Sequence, residues 1–351
     1  MADNDSVSDS VDELSDELIE KVPYVPGTLY FMTEIDFLNG DTFPYYKIGI
    51  VKNDKEVEVR KKQHRTGNPR DIISVCDIAS PAAQKLETRL HNEFAVHRVA
   101  SGEWFRFSEE ILAEVITRAR ELNDQLIAEI EILNAAKRIK GPGAGEPLDA
   151  SATFEEDGAS LGVLISEQAV ISKAKLSISK KIKLLTEGNL QWERLLEPRQ
   201  NSEKNNFSVE ILKKKYKALY EEFKTKETQS ITASWVFEIP ELELDQVLEK
   251  YGCPNLEILG DSPIELHQAF LSLWSAGAIA DWEIERIQAR LLCAASDSSG
   301  IDGILEWKFL ISKTFDREEF LKKHPDVYND CFKKTDAKVT YRVVEWASYT
   351  F

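Results

Sequence analysis

The spacing of apolar positions changes several times along the chain. Thr28 to Met32 and Tyr45 to Val51 are dense in β-branched and aromatic residues, so each reads as a strand. Gly40-Asp41 marks the turn region between them, and Phe37 to Pro44 reads as an extended hairpin loop. Lys55 to Arg65 has a helical pattern ended by Gly67-Asn68-Pro69, and Ile72 to Ile78 reads as a third strand. Ser80-Pro81 supplies an N-cap and a first-turn proline for a helix whose core stripe is Leu86, Leu90 and Phe94. Trp104 to Phe107 is a short extended piece. Ser108, followed by Glu109 and Glu110, caps a long helix running to about Lys140.

Gly141 to Pro147 is the strongest linker signal, and loop-like composition continues to about Ser160. Leu164 to Leu196 is helical, with a basic middle at Lys173, Lys175, Lys180, Lys181 and Lys183 that reads as a solvated face. A second helix over Val209 to Lys226 would complete a helical hairpin or arm. Ser234 to Ile239 reads as a strand, Leu242 to Tyr251 as a helix stopped at Gly252, Pro263 to Ala295 as a long helix, and Lys338 to Val344 as a strand. Trp274 and Trp282 fall eight apart on the long helix, as core residues do. No internal repeat is expected.

These elements divide the chain into an acidic tail at 1–22, a module at 23–140, a linker at 141–160, a helical arm at 161–230 and a C-terminal α+β region at 231–351. The length, 351 residues, is enough for two or three cores, and 42% hydrophobic with 30% charged residues is ordinary for a globular protein. No apolar run is long enough to cross a bilayer. The acidic start lacks the basic-then-apolar order of a secretion signal, so a cytoplasmic location is expected. Cys76, Cys253, Cys293 and Cys331 form no CxxC pair, which leaves neither a zinc framework nor a disulfide framework. The net charge of −17 excludes a generic basic nucleic-acid coat, yet Arg60, Lys61, Lys62, Arg65 and Arg70 make one stretch locally basic.

Candidate chemistry lies in the first module. Arg60 and His64 are four apart on one helix, and Glu87 and His91 are four apart on the next, so each pair shares a helix face. Phosphodiester hydrolysis needs an activated water and compensation for charge on the phosphoryl oxygens and the leaving group. Arginine, a proton acceptor and a carboxylate-held cation can supply these. Taken singly, the residues have plainer readings: Tyr30 as a strand aromatic, Arg60 as a solvated charge, and His91 as a core-edge histidine or a ligand.

Their order is more specific. Gly27-Thr28-Leu29-Tyr30-Phe31, Tyr45-Tyr46-Lys47-Ile48-Gly49-Ile50, Arg60 with His64, Glu87, and Gly102-Glu103-Trp104-Phe105 follow one another over about residues 27–108. This series resembles the GIY-YIG nuclease superfamily, in the branch with Lys-Ile-Gly in the second motif and a trailing Glu-Trp-Phe. The resemblance implies a small three-stranded, mainly antiparallel sheet flanked by helices; beyond it the elements above make the chain α+β, with a helical connector and a separate C-terminal α+β domain. It also implies a metal-dependent endonuclease acting on DNA. Tyr30 would position or activate water, Arg60 would contact the scissile phosphate, and His64 would bond the phosphate or assist proton transfer. Glu87 would hold one Mg²⁺ or Mn²⁺, while Arg60, Lys61, Lys62, Arg65 and Arg70 would meet DNA.

The branch implies bacterial or phage origin and a role in defence, DNA mobility or repair. Lys47 stands where the superfamily has its second tyrosine, and Tyr46 would face the other side of the strand. This departure leaves the proton-transfer assignment open. It also keeps two alternatives, a non-catalytic DNA-binding module and a protein-interaction subunit of a larger complex. The helical arm and C-terminal region would carry a homo-oligomer contact or a protein partner.

Overall fold

A computed structural model describes residues 24–36, 38–52, 56–65, 70–99, 102–186, 194–335 and 338–347. The acidic tail and the Gly67-Asn68-Pro69 stop lie outside the described residues.

The first module contains β1 (Gly27–Ile35), β2 (Thr42–Lys52), α1 (Val57–Arg65), β3 (Asp71–Ser80), α2 (Ala83–Glu93), a 3₁₀ turn (Ala95–His97), β4 (Arg98–Val99) and β5 (Trp104–Arg106). The expected trio β3-β1-β2 is present and antiparallel, and β5 and β4 extend it to five strands in the order β3-β1-β2-β5-β4. The hairpin loop is tighter than the sequence suggests. β2 already begins at Thr42, and Gly40 takes φ 77°, a left-handed angle that glycine adopts without strain. Ser80 also differs from expectation. It ends β3, and its Oγ accepts a 3.2 Å hydrogen bond from the Ala82 N–H, so the helix starts two residues past Pro81 without a side-chain cap.

β1 lies between β3 and β2 and is buried on both faces. Leu29 and Phe31 enter a large core with Leu86, Leu90, Phe105 and Phe107, while Tyr30 and Met32 meet Val51, Ile72 and Val57 on the other face.

The remaining elements are α3 (Glu109–Ala136), α4 (Ala152–Thr186), β6 (Leu196–Asn201), β7 (Lys204–Phe207), α5 (Val209–Lys215), α6 (Lys217–Glu222), β8 (Lys226–Trp235), α7 (Leu244–Lys250), α8 (Pro263–Ala294), β9 (Leu305–Thr314), α9 (Arg317–Lys323), α10 (Pro325–Asp330), β10 (Phe332–Thr335) and β11 (Lys338–Val343). Ser108 caps α3 as expected, its Oγ accepting from the Ile111 N–H. α4 begins at Ala152, inside the segment read as linker, and packs along α8 instead of closing a helical hairpin. The expected boundary between arm and C-terminal region, at 230–231, falls inside β8, which pairs with β9 along its whole length.

α8 also completes the first module's core. Trp282 is buried there, its indole N–H donates to Gln125 Oε1 at 3.0 Å, and the Arg89 guanidinium lies 5.8 Å from its ring. Trp274 is half-buried and donates to Asn92 on α2 at 3.2 Å. Trp282→Ala should therefore cost about 3–5 kcal/mol in urea unfolding monitored by circular dichroism. A loss below about 1 kcal/mol would mean that α8 does not belong to this core.

Candidate active site

Alternation along β1 and β2 puts Tyr30, Lys47 and Gly49 on the sheet face opposite the main core. Tyr46 enters the main core, stacking on Phe107 with ring centroids 6.0 Å apart. The expectation that Lys47 and Tyr46 face opposite ways therefore holds. In the antiparallel register Tyr30 lies across from Gly49. The phenol crosses the β2 backbone at that point, and an alanine Cβ at 49 would come within 2.6 Å of Tyr30 Cζ and closer still to Oη. Gly49 thus makes room for the tyrosine.

Tyr30 is fully buried, and its hydroxyl lies beside the Arg60 guanidinium. Burial raises its pKa, against the nearby Arg60 guanidinium, so the phenol keeps its proton at neutral pH. From α1, Arg60 and His64 reach the same locality. Arg60 Nη1 donates to Gln63 Oε1 at 2.9 Å, while Arg60 Nε and His64 Nε2 are buried without partners. Burial, then the charges of Lys47 and Arg60, lower the His64 pKa, so its imidazole is neutral at neutral pH and able to accept a proton.

From α2, Glu87 joins the group. Burial first, then the Glu103 carboxylate, push its pKa up to about 7, against Lys47, Arg98 and Arg60. Glu103 behaves in the opposite way. Burial works to raise its pKa, but the hydrogen bond and charge of Lys47 outweigh that and hold it below the ordinary carboxylate range. Lys47 Nζ lies 2.6 Å from Glu103 Oε2, so the lysine's charge is committed to Glu103.

His91 belongs to the core. Its Nε2 bonds Ile48 O at 3.1 Å, its ring lies 5.1 Å from Phe105, and burial lowers its pKa to about 4. Of the five residues expected to meet DNA, Arg60 lies in the group. Lys61 pairs with Glu58 at 2.7 Å, and Arg70 pairs with Glu34 at 2.8 Å and covers the Phe43 ring. Lys62 is exposed, and the Arg65 side chain lies outside the described residues.

The fold adds Glu103 and Arg98 to the group. Arg98 Nε donates to Gly102 O at 2.8 Å, and its charge acts on Glu87. The trailing Gly-Glu-Trp-Phe series marked Glu103 in the sequence, although that signal does not say that Glu103 pairs with Lys47. Nothing in the sequence marks Arg98.

A hard divalent cation suits the donor set. Glu87 offers a carboxylate at elevated pKa among cations already engaged elsewhere, and Mg²⁺ is commonly held by one or two carboxylates with substrate phosphates and water. No group of three or more His, Cys, Asp or Glu able to hold a metal occurs among the described residues, so substrate and water would have to supply the other ligands.

Sheet, flanking helices and polar group together form an α+β module with its candidate chemistry on one sheet face. Residues 27–120 match the family model of the T5orf172 domain. No curated protein and no solved structure matches the chain. Among the described residues, no helix is long and apolar enough to cross a membrane.

Proposed function

We propose that residues 27–120 form the catalytic module of a metal-dependent endonuclease that hydrolyses DNA phosphodiester bonds. The observation that carries this reading is the convergence of Tyr30, Lys47, Arg60, His64 and Glu87 from β1, β2, α1 and α2 into one electrostatically coupled group. The T5orf172 match over the same residues supports it, because that domain is associated with GIY-YIG-like nucleases.

In this reading Arg60 binds the phosphoryl oxygens and offsets their developing charge. Neutral His64 accepts the proton of the attacking water, and the protonated Tyr30 phenol orients that water by a hydrogen bond. Lys47, held by Glu103, orients the phosphate and does not take the proton. Glu87 would hold one Mg²⁺ or Mn²⁺, which when bound would stabilise the leaving oxyanion.

The experiment compares wild type and Glu87→Ala on supercoiled and single-stranded DNA with Mg²⁺, Mn²⁺ or chelator. Cutting that needs metal and is lost in the variant is expected. Cutting that survives the substitution would overturn the assignment. The Lys47–Glu103 pair favours a second reading, a DNA-binding module without turnover, which predicts binding that chelator does not change.

A further inference from the structure

The expectation of no internal repeat is corrected by the fold, which contains one, and its location bears on how DNA is held. β7-α5-α6-β8 and β9-α9-α10-β10 are two copies of one unit. They superpose in sequence at a constant offset of 108 residues, with Phe207 matching Phe315, Glu210 matching Glu318, Lys214 and Lys215 matching Lys322 and Lys323, Tyr220 matching Tyr328, and Lys226 matching Lys334. The helices coincide in length, seven residues and then six in both copies.

Details repeat as well. Ser208 and Asp316 are equivalent N-caps accepting from the Ile211 and Glu319 N–H groups. The Ser208 N–H donates to Cys331 O at 2.8 Å, and the Asp316 N–H donates to Phe223 O at 2.8 Å. Strand pairing follows the same exchange, β7 with β10 and β8 with β9. Phe207 stacks on Tyr328 and Phe315 on Tyr220. The two equivalent phenylalanines stack on each other at 5.9 Å and 11°, as residues beside a twofold axis do.

We propose that this pseudo-dyadic module is a duplex-DNA anchor, the equivalent Lys214 and Lys322 each meeting the phosphate backbone of one strand. The inference rests on the nuclease reading of residues 27–120 and gives that nuclease its substrate class, double-stranded DNA. The strands of B-DNA are related by local dyads, so a twofold protein surface meets both in equivalent geometry.

Charge supports this occupant. Residues 204–226 and 312–335 carry thirteen Lys and Arg against eight Asp and Glu, in a chain whose net charge is −17. The surplus lies in the strands and their flanks, since the four helices balance seven Lys and Arg against seven Asp and Glu; within them Asp330 pairs with Lys215 and Glu319 with Lys323. Lys214 and Lys322 are exposed at the same position of the two units. Past β11 the chain returns to the first module, where the Ala347 N–H donates to Arg98 O at 2.7 Å beside β4.

The test uses the full chain carrying Glu87→Ala, so that DNA is bound without being cut. Lys214→Gln, Lys322→Gln and the double variant are compared by fluorescence anisotropy on duplex DNA across a salt series. Each lysine that meets a phosphate should lower the salt slope by about 0.9 and the affinity at 0.1 M salt by about eightfold. The two single variants should match each other, and the double should lose about 1.8 in slope. In the cutting-competent chain the double variant should raise KM and leave kcat at saturating duplex unchanged.

A parent that binds duplex while the double variant binds it equally well would overturn the anchor and spare the nuclease reading. Loss from one lysine alone would overturn the dyad. A concentration-dependent dimer abolished by the double variant would assign the surface to a second copy of the chain. A parent that binds no DNA at any salt would remove the nuclease reading, and the anchor with it.

Discussion

Gly49→Ala should lower the cleavage rate about a hundredfold or more while the chain remains folded. The methyl group would occupy space taken by the Tyr30 ring, coming within 2.6 Å of Cζ. The ring cannot yield easily, because Tyr30 is fully buried among Met32, Val51, Ile72 and Val57. Relief requires either a new Tyr30 rotamer or separation of β1 from β2. Overpacking of this kind costs about 1–3 kcal/mol, and a displacement of about 1 Å in a catalytic group can cost a hundredfold in rate. Tyr30→Phe is the control, since it removes only the hydroxyl and leaves the packing in place. Full activity in both variants, measured by plasmid nicking, would remove Tyr30 from the reaction. Loss in Gly49→Ala with none in Tyr30→Phe would assign the glycine a packing role only.

The acid limb of the pH–rate profile should break near pH 7 and fall about tenfold per unit below it, so that pH 5 retains about one hundredth of the plateau rate. Glu87 sets this limb, because burial first and Glu103 next raise its pKa to about 7, and the protonated acid cannot hold a cation. His64 moves the other way, its pKa lowered below the ordinary imidazole range by burial and by the charges of Lys47 and Arg60. More Mg²⁺ or Mn²⁺ should shift the break to lower pH, since the cation competes with the proton for one carboxylate. A break that ignores metal concentration would exclude Glu87 as the ligand.

The stability consequence has a definite sign. The folded-state pKa of Glu87 lies above its unfolded value, so its contribution is destabilising above pH 7 and is relieved as pH falls from about 7 toward 4.5. The Glu103 shift is the reverse, and its contribution is lost as pH falls through its depressed folded pKa.

By itself the sequence determined the elements with strong local signals. β1, β2 and β3 follow from β-branched and aromatic runs, α2 from the Leu86-Leu90-Phe94 stripe, α3 from its Ser108 cap, and α8 from a first-turn proline and sustained periodicity. It also determined the order of Tyr30, Lys47, Arg60, His64 and Glu87, because motif spacing is a property of the chain. Tertiary structure alone decided what these residues do to one another. Lys47 pairs with a carboxylate 56 residues away, and Glu87 takes its pKa from burial and from Glu103, neither of which the local sequence around it states.

The same limit hid the β-ribbons. β6 and β8 are largely polar, β9 is half apolar yet mostly exposed, and each is a strand only because a partner far along the chain completes its hydrogen bonds. The repeat is faint in the sequence for a related reason. Its two copies share few identities, and what they preserve is a cap position, two helix lengths and a stacked aromatic pair, which become visible only when the dyad brings the copies together.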